Sequence, residues 1–216
     1  MRKEELIQEL HDAVLEGRLE DSTPLAEKSV ALGYDPLEVL QGVTSALKIV
    51  GEQFNEGSIF LTDLMYCGET AKDAMNILTE EIKRQKKEVP YLGRVVIGSV
   101  EGDIHDIGKS LVIAMLSAEG FEVIDLGIDV PDAVFVEKVR ELKPDVLGMS
   151  ALVTTTMLKF RDVVVALEEA GLRNKVRVII GGALVDMNYA EIAGADTFGS
   201  DAIDAIAKVK ALLELG

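Results

Sequence analysis

From residue 94 onward the chain alternates short β-branched runs with helical stretches. RVVIGSV at 94–100, FEVIDLG at 121–127, DVLGMS at 145–150, VRVIIGG at 176–182 and ADTFG at 195–199 each precede a segment with helical spacing. Strands separated by helices cannot pair through tight hairpins. They form a parallel sheet wound with helices on both faces. The helices are expected at 108–119, from Pro131 to 142, at 155–170, after Asp186, and after Asp201 as a cap. In such sheets ligands sit at the carboxyl ends of the strands. The loops at 100–108, 127–131, 150–156, 181–186 and 198–202 are therefore the ones to inspect.

Residues before about 90 have a different period. Leu6, Leu10, Val14 and Leu15 recur at helical spacing. Thr23-Pro24 and Asp35-Pro36 each offer a capping oxygen followed by proline at a first helical position, and Glu38 completes a capping box with Asp35. Gly33 stands where a helix end needs a left-handed backbone. Long amphipathic helices are expected over 36–54 and 62–84, broken at Asn55–Ser58, and four helices of this kind make a bundle. KRQKKEVP, residues 83–90, is charged, ends in proline, and reads as a linker and hinge. The expected domains are a helical bundle over 1–88 and an α/β domain over 89–216.

Composition narrows the function. The chain is 48% hydrophobic but only 5% aromatic, without Trp, so its cores are aliphatic, as parallel α/β layers prefer. A net charge of −16 argues against nucleic acid and anionic membrane as partners. Cys67 is the only cysteine, so no disulfide forms within the chain. MRKEELIQEL lacks the apolar core of a signal peptide, and no apolar run reaches membrane-spanning length. The expected location is the cytoplasm.

The first strand-end loop reads Glu101-Gly102-Asp103-Ile104-His105-Asp106-Ile107-Gly108-Lys109. A neutral imidazole suits a transition metal, and a carboxylate two residues earlier can hold the proton on its other nitrogen. Gly108 would let something bulky pass close to the backbone. A lone loop histidine is more often a surface or capping residue. A Mg or Mn site would want more oxygens, a structural zinc site would want cysteines, and the GxGxxG spacing of a dinucleotide site is lacking. The third strand ends with the hydroxyls of Ser150, Thr154, Thr155 and Thr156, which alone need only cap a helix. The fourth ends in Gly181-Gly182, which alone need only turn the chain. Taken together, the loops outline a long, narrow slot lined mostly by hydroxyls and glycines.

Asp103-x-His105-x-x-Gly108, then Ser150-x-Leu152 with Thr154 and Thr156, then Gly181-Gly182, in this order at these strand ends, resemble the B12-binding domain. VGEQFNEGSIFLTDLMYCGETAKDAM, residues 50–75, is similar to the cap of corrinoid proteins that serve methyltransferases, such as the methylamine and methanol corrinoid proteins and the cap and B12-binding domains of methionine synthase. The resemblance covers nearly the whole chain. It implies a four-helix cap followed by a Rossmann-like, doubly wound, five-stranded parallel domain. It implies cobalamin or a related corrinoid, cycling between methylcob(III)alamin and cob(I)alamin, with its own base released and His105 as the ligand of cobalt. Asp103 would hold that imidazole, and Thr156, where methionine synthase has serine, would complete a relay. The released tail would pass Ile107, Gly108, Ser150, Leu152, Thr154, Gly181 and Gly182, and the loop Phe198–Ala202 would close around its end. Phe54 and Leu61 would shield the upper face, with Leu64 adding to that surface. Thr62, where many relatives have proline, would cap the following helix. His11 is expected to be solvated and Cys67 to be a buried or half-buried helix residue.

The function implied is a methyl shuttle that is not catalytic alone. It would run between a substrate-demethylating methyltransferase and a second methyltransferase acting on a thiol or folate acceptor, with a reductive activating protein as a further partner. The alternatives within the resemblance are a mutase subunit using adenosylcobalamin and a B12 sensor module. A receiver-like or flavodoxin-like signalling domain is the rival from another class. A receiver needs an aspartate at the end of a central strand, whereas here Asp103 and Asp106 flank His105.

Overall fold

The computed structural model describes residues 1–85, 87 and 91–215, with Asn55 described by its backbone alone. The chain forms two compact units, residues 1–91 with 117–120, and residues 92–116 with 121–216.

The first unit is a bundle of four helices: α1 (Lys3–Leu15), α2 (Leu19–Ala31), α3 (Pro36–Asn55) and α4 (Leu61–Arg84). Its apolar stripes meet in a core that includes Leu10, Val14, Val43, Leu47, Leu78 and Ile82. Ala26, Ala46, Ala71 and Ala74 are small enough to let the helices approach closely. Asp35 caps α3 by accepting from the Leu37 amide, with Pro36 at the first helical position. Gly33 ends α2 at φ +71°, while the Tyr34 amide reaches back to the Ser29 carbonyl.

Several local expectations give way to packing. Thr23-Pro24 does not open a helix: α2 begins at Leu19, and Pro24 lies inside it. Burial of Ser22 and Ala26, one turn apart, accounts for the earlier start. Glu38 does not close a capping box on Asp35; it pairs instead with Lys3 Nζ at 2.7 Å. Thr62 is not the cap of α4, because the helix starts at Leu61 and Asp63 accepts from the Phe60 amide. Of the linker expected at 83–90, Lys83 and Arg84 still belong to α4, while residues 86 and 88–90 lie outside the described residues.

The second unit alternates β1 (Arg94–Ser99), α5 (Ile107–Ala118), β2 (Glu122–Asp125), α6 (Asp132–Leu142), β3 (Val146–Ser150), α7 (Thr154–Glu169), β4 (Arg177–Gly181), α8 (Met187–Ala193), β5 (Thr197–Gly199) and α9 (Ala202–Leu212). A single 3-10 turn at Arg173–Lys175, not anticipated from the sequence, leads into β4. The sheet is parallel throughout, in the order β2-β1-β3-β4-β5. The chain winds outward from β1 to β2 and then restarts at β3 on the other side of β1. That reversal splays the loops after β1 and β3 apart and opens a crevice between them. Among the described residues no helix is long and apolar enough to cross a membrane.

Alternate residues of each strand face opposite layers. Val96, Leu147, Met149, Val178 and Ile180 pack with Phe135 and Val139 of α6, Phe160 and Val163 of α7, and Ala190 of α8. Val95, Ile97 and Ile179 point the other way, toward α5 and α9.

Candidate functional site

On that other face, between α5 and α9, lies a cavity of about 630 Å³. Its floor is Val95, Ile97, Gly148 and Ile179; its sides are Val112 and Leu116 of α5 and Ala205 and Val209 of α9. The slot is thus mainly aliphatic in its depth, not mostly hydroxyl and glycine as the loops alone implied. The loops form only its upper rim, and the strands beneath supply the walls. Several wall residues are almost wholly buried, Val95, Leu116 and Val209 at 1% exposure each, so the space reaches into the interior of the unit.

The loop between β1 and α5 places His105 at the rim. Asp103, 1% exposed, lies behind it and is the hub of the loop. Its Oδ1 accepts from the His105 amide at 3.0 Å and pairs with His105 Nδ1 at 2.8 Å. Its Oδ2 accepts from the Leu152 amide at 2.8 Å and from Thr156 Oγ1 at 2.6 Å. Burial alone would push the Asp103 carboxyl up, but the bonds from Thr156, from the Leu152 and His105 amides and from the His105 ring outweigh it and hold it well below the usual carboxylate range. An ionised carboxylate can only accept, so the shared proton sits on Nδ1 and the Nε2 lone pair is left for a ligand. The His105 side chain is 49% exposed, and Nε2 has no hydrogen-bond partner among the described residues.

The expected residues fall into three groups. His105, Ile107, Gly108, Ser150, Leu152, Gly181, Gly182 and Ala202 all line the cavity. Asp103 and Thr156 stand behind His105 and do not themselves line the cavity. Thr154 is exposed on the first turn of α7, away from the cavity lining. Phe54, in the last turn of α3, and Leu61, the first residue of α4, belong to the bundle and are half-buried there. Leu64, expected on the same surface, is buried at 1% exposure. His11 is not fully solvated: its side chain is 18% exposed beside Asp12. Cys67 is buried, and burial pushes its thiol up.

Two residues beside the site escaped the sequence reading. Ser99, fully buried at the end of β1, donates from Oγ to the His105 carbonyl at 2.9 Å. Lys109, in the first turn of α5, lines the cavity and pairs with Asp125 at the end of β2. Ser99 carried a weak signal, as a polar residue closing an otherwise apolar strand. Gly182 was read correctly as a turn or close-approach residue, and its constraint is severe. At φ +149° a Cβ there would lie 1.9 Å from the Ala151 carbonyl oxygen.

These features fit a corrinoid. His105 offers a single imidazole nitrogen at the rim. That suits a metal held mainly by its own macrocycle. Ile104 and Ile107, exposed at 69% and 61%, give the rim an apolar edge. Gly108 has nothing within 4 Å of where a Cβ would stand, which leaves room for a bulky group. The cavity below offers a place for an appended arm.

Comparison with known proteins agrees. Residues 93–207 match the B12 binding domain family, and residues 6–79 match a second family described in the same words. Trimethylamine corrinoid protein 2 of Methanosarcina mazei is 44% identical, over 99% of this chain and 99% of its own. Dimethylamine corrinoid protein 1 of Methanosarcina acetivorans is 43% identical, over 99% of this chain and all of its own length. The crystal structure of the methanol:cobalamin methyltransferase complex from Methanosarcina barkeri superposes with a TM-score of 0.83 at 31% identity, covering 99% of this chain and 81% of that one. Likeness of this extent, running through both units, makes the chain a member of the B12-binding corrinoid protein family.

Proposed function

We propose that the chain carries a methyl group on a corrinoid whose own nucleotide base is released, with His105 as the lower ligand of cobalt. The observation that carries the reading is the imidazole at the cavity rim, fixed through Nδ1 by Asp103 at 2.8 Å with Nε2 left open. When bound, the corrinoid supplies a cobalt centre able to accept and release a methyl group.

The protein's part is to hold and orient. Asp103 fixes one tautomer and the ring orientation of His105. Thr156 Oγ1 lies 2.6 Å from Asp103 Oδ2 and 2.9 Å from the Val153 carbonyl. Its one hydroxyl proton can favour either acceptor, which lets it follow the charge on the Asp103–His105 pair. The aliphatic cavity keeps water from the buried arm. The same reading gives Phe54 and Leu61 the role of covering the corrinoid.

The reading is a shuttle between a demethylating methyltransferase and a second methyltransferase with a thiol or folate acceptor, kept active by a reductive partner. The similarity to a methanol:cobalamin methyltransferase complex supports methyltransferases as partners. Relatives named for trimethylamine and for dimethylamine are about equally similar, at 44% and 43%.

Adding hydroxocobalamin to the parent protein and to His105→Gly tests the ligand. Both should bind the vitamin through the cavity, but the visible spectrum of the variant should lose the signature of a coordinated imidazole. Identical spectra would remove His105 from the metal.

A further inference from the structure

We propose that Lys109 is a positioning residue for the His105 imidazole, an assignment that rests on the ligand reading above. Lys109 is 2% exposed in the first turn of α5, and its ammonium sits 2.8 Å from Asp106 and 2.7 Å from Asp125. A cation in a first helical turn opposes the helix dipole, and removing an ammonium from water is costly. Local rules broken at the edge of a site point to a function that outweighs them.

The two carboxylates do not need Lys109 for their own sake. Asp106 and Asp125 are 52% and 28% exposed, so water can solvate both if the lysine is removed. What the ammonium does is join three pieces of chain: the end of the His105 loop, the start of α5 and the end of β2. Asp125 extends the tie by accepting from the Gly127 amide at 2.9 Å. The loop's other fastenings lie elsewhere. Gly102 is held by Asp129, the Asp103 carboxylate by its own donors, and the His105 carbonyl by Ser99. Among the described residues the Asp106 side chain is held by Lys109 alone. Asp106 is also the next residue after His105. Released, that end of the loop no longer holds the ring against Asp103. Lys109 therefore keeps Nδ1 facing Asp103 by fastening the residue next to His105 to the end of β2.

The test uses the full-length chain with Lys109→Met and, separately, Asp125→Ala. Without corrinoid, 15N spectra of the His105 ring report which nitrogen carries the proton. The parent should show the Nδ1–H form alone, and Lys109→Met a mixture of the Nδ1–H and Nε2–H forms. Asp125→Ala, which loosens the ammonium without removing it, should move the same way by less. The melting temperature of Lys109→Met should change by no more than about 4 °C, since both carboxylates can rehydrate. With hydroxocobalamin, imidazole coordination should weaken about tenfold in Lys109→Met. An unchanged ring spectrum in Lys109→Met overturns the proposal. If that variant does not fold, an unchanged ring spectrum in Asp125→Ala overturns it. A parent whose cobalamin spectrum matches that of His105→Gly defeats the ligand reading instead, while the corrinoid-free ring spectra still judge Lys109.

Discussion

The two faces of the sheet are made from the same aliphatic residues and end differently. On one, Phe135 and Phe160, both 0% exposed, press with α6, α7 and α8 against Val96, Leu147 and Val178. On the other, Val95, Ile97 and Ile179 meet a cavity of about 630 Å³ between α5 and α9. The closed face holds the fold together, and this frees the open face to hold a ligand. Strand pleating sends neighbouring residues to the two jobs, so Val95 lines the cavity while Val96 is core.

If that division is right, the costliest truncations belong to the closed face. Phe135→Ala should destabilise the corrinoid-free protein by about 3–5 kcal/mol in urea unfolding. A loss below about 1 kcal/mol would mean that the closed face is not what holds the unit together. Thr156→Val, at the boundary between the faces, should cost about 1–2 kcal/mol near neutrality, because it removes a hydrogen bond to a charged group. Its pH dependence is the sharper test. Asp103 is held below its ordinary value, so its ionised form stabilises the fold above about pH 4, and that contribution is lost as pH falls through the native pKa. Losing the Thr156 bond narrows the gap between folded and unfolded values. Parent and variant should differ most near neutrality and converge in acid; a gap that widens in acid contradicts the arrangement. The smallest change in stability, with the opposite sign, is expected on the open face. Gly108→Ala places a methyl in open space at a helix start and should stabilise the corrinoid-free protein by up to about 1 kcal/mol. Cobalamin titration should show the same methyl weakening binding about tenfold, or roughly 1.4 kcal/mol. A variant that binds as well as the parent would move the ligand away from Gly108.

Much of this was legible in the sequence, because the informative residues break their local pattern. β-branched runs marked the strands, and His105, Ser150 and Gly181 stood out at their ends. The cavity walls did not stand out. Val95, Val112 and Ile179 are residues any core would use, and only the placement of α5 and α9 leaves space beside them. Lys109 was hidden for the opposite reason: a lysine in a helix reads as solvated, and its two acidic partners come from a loop and from the end of another strand. The start of α2 was misplaced because Pro24 is a strong local signal that buried Ser22 and Ala26 override.

A hollow walled by residues at 1% exposure is an interior left unfinished. Whatever fills it adds its binding free energy to folding, about 2.7 kcal/mol at a free concentration one hundred times the dissociation constant. An empty chain opens more often and meets proteases more often than a filled one. On the proposed reading, corrinoid supply would then bear on how many copies of this protein persist, as well as on how many are competent.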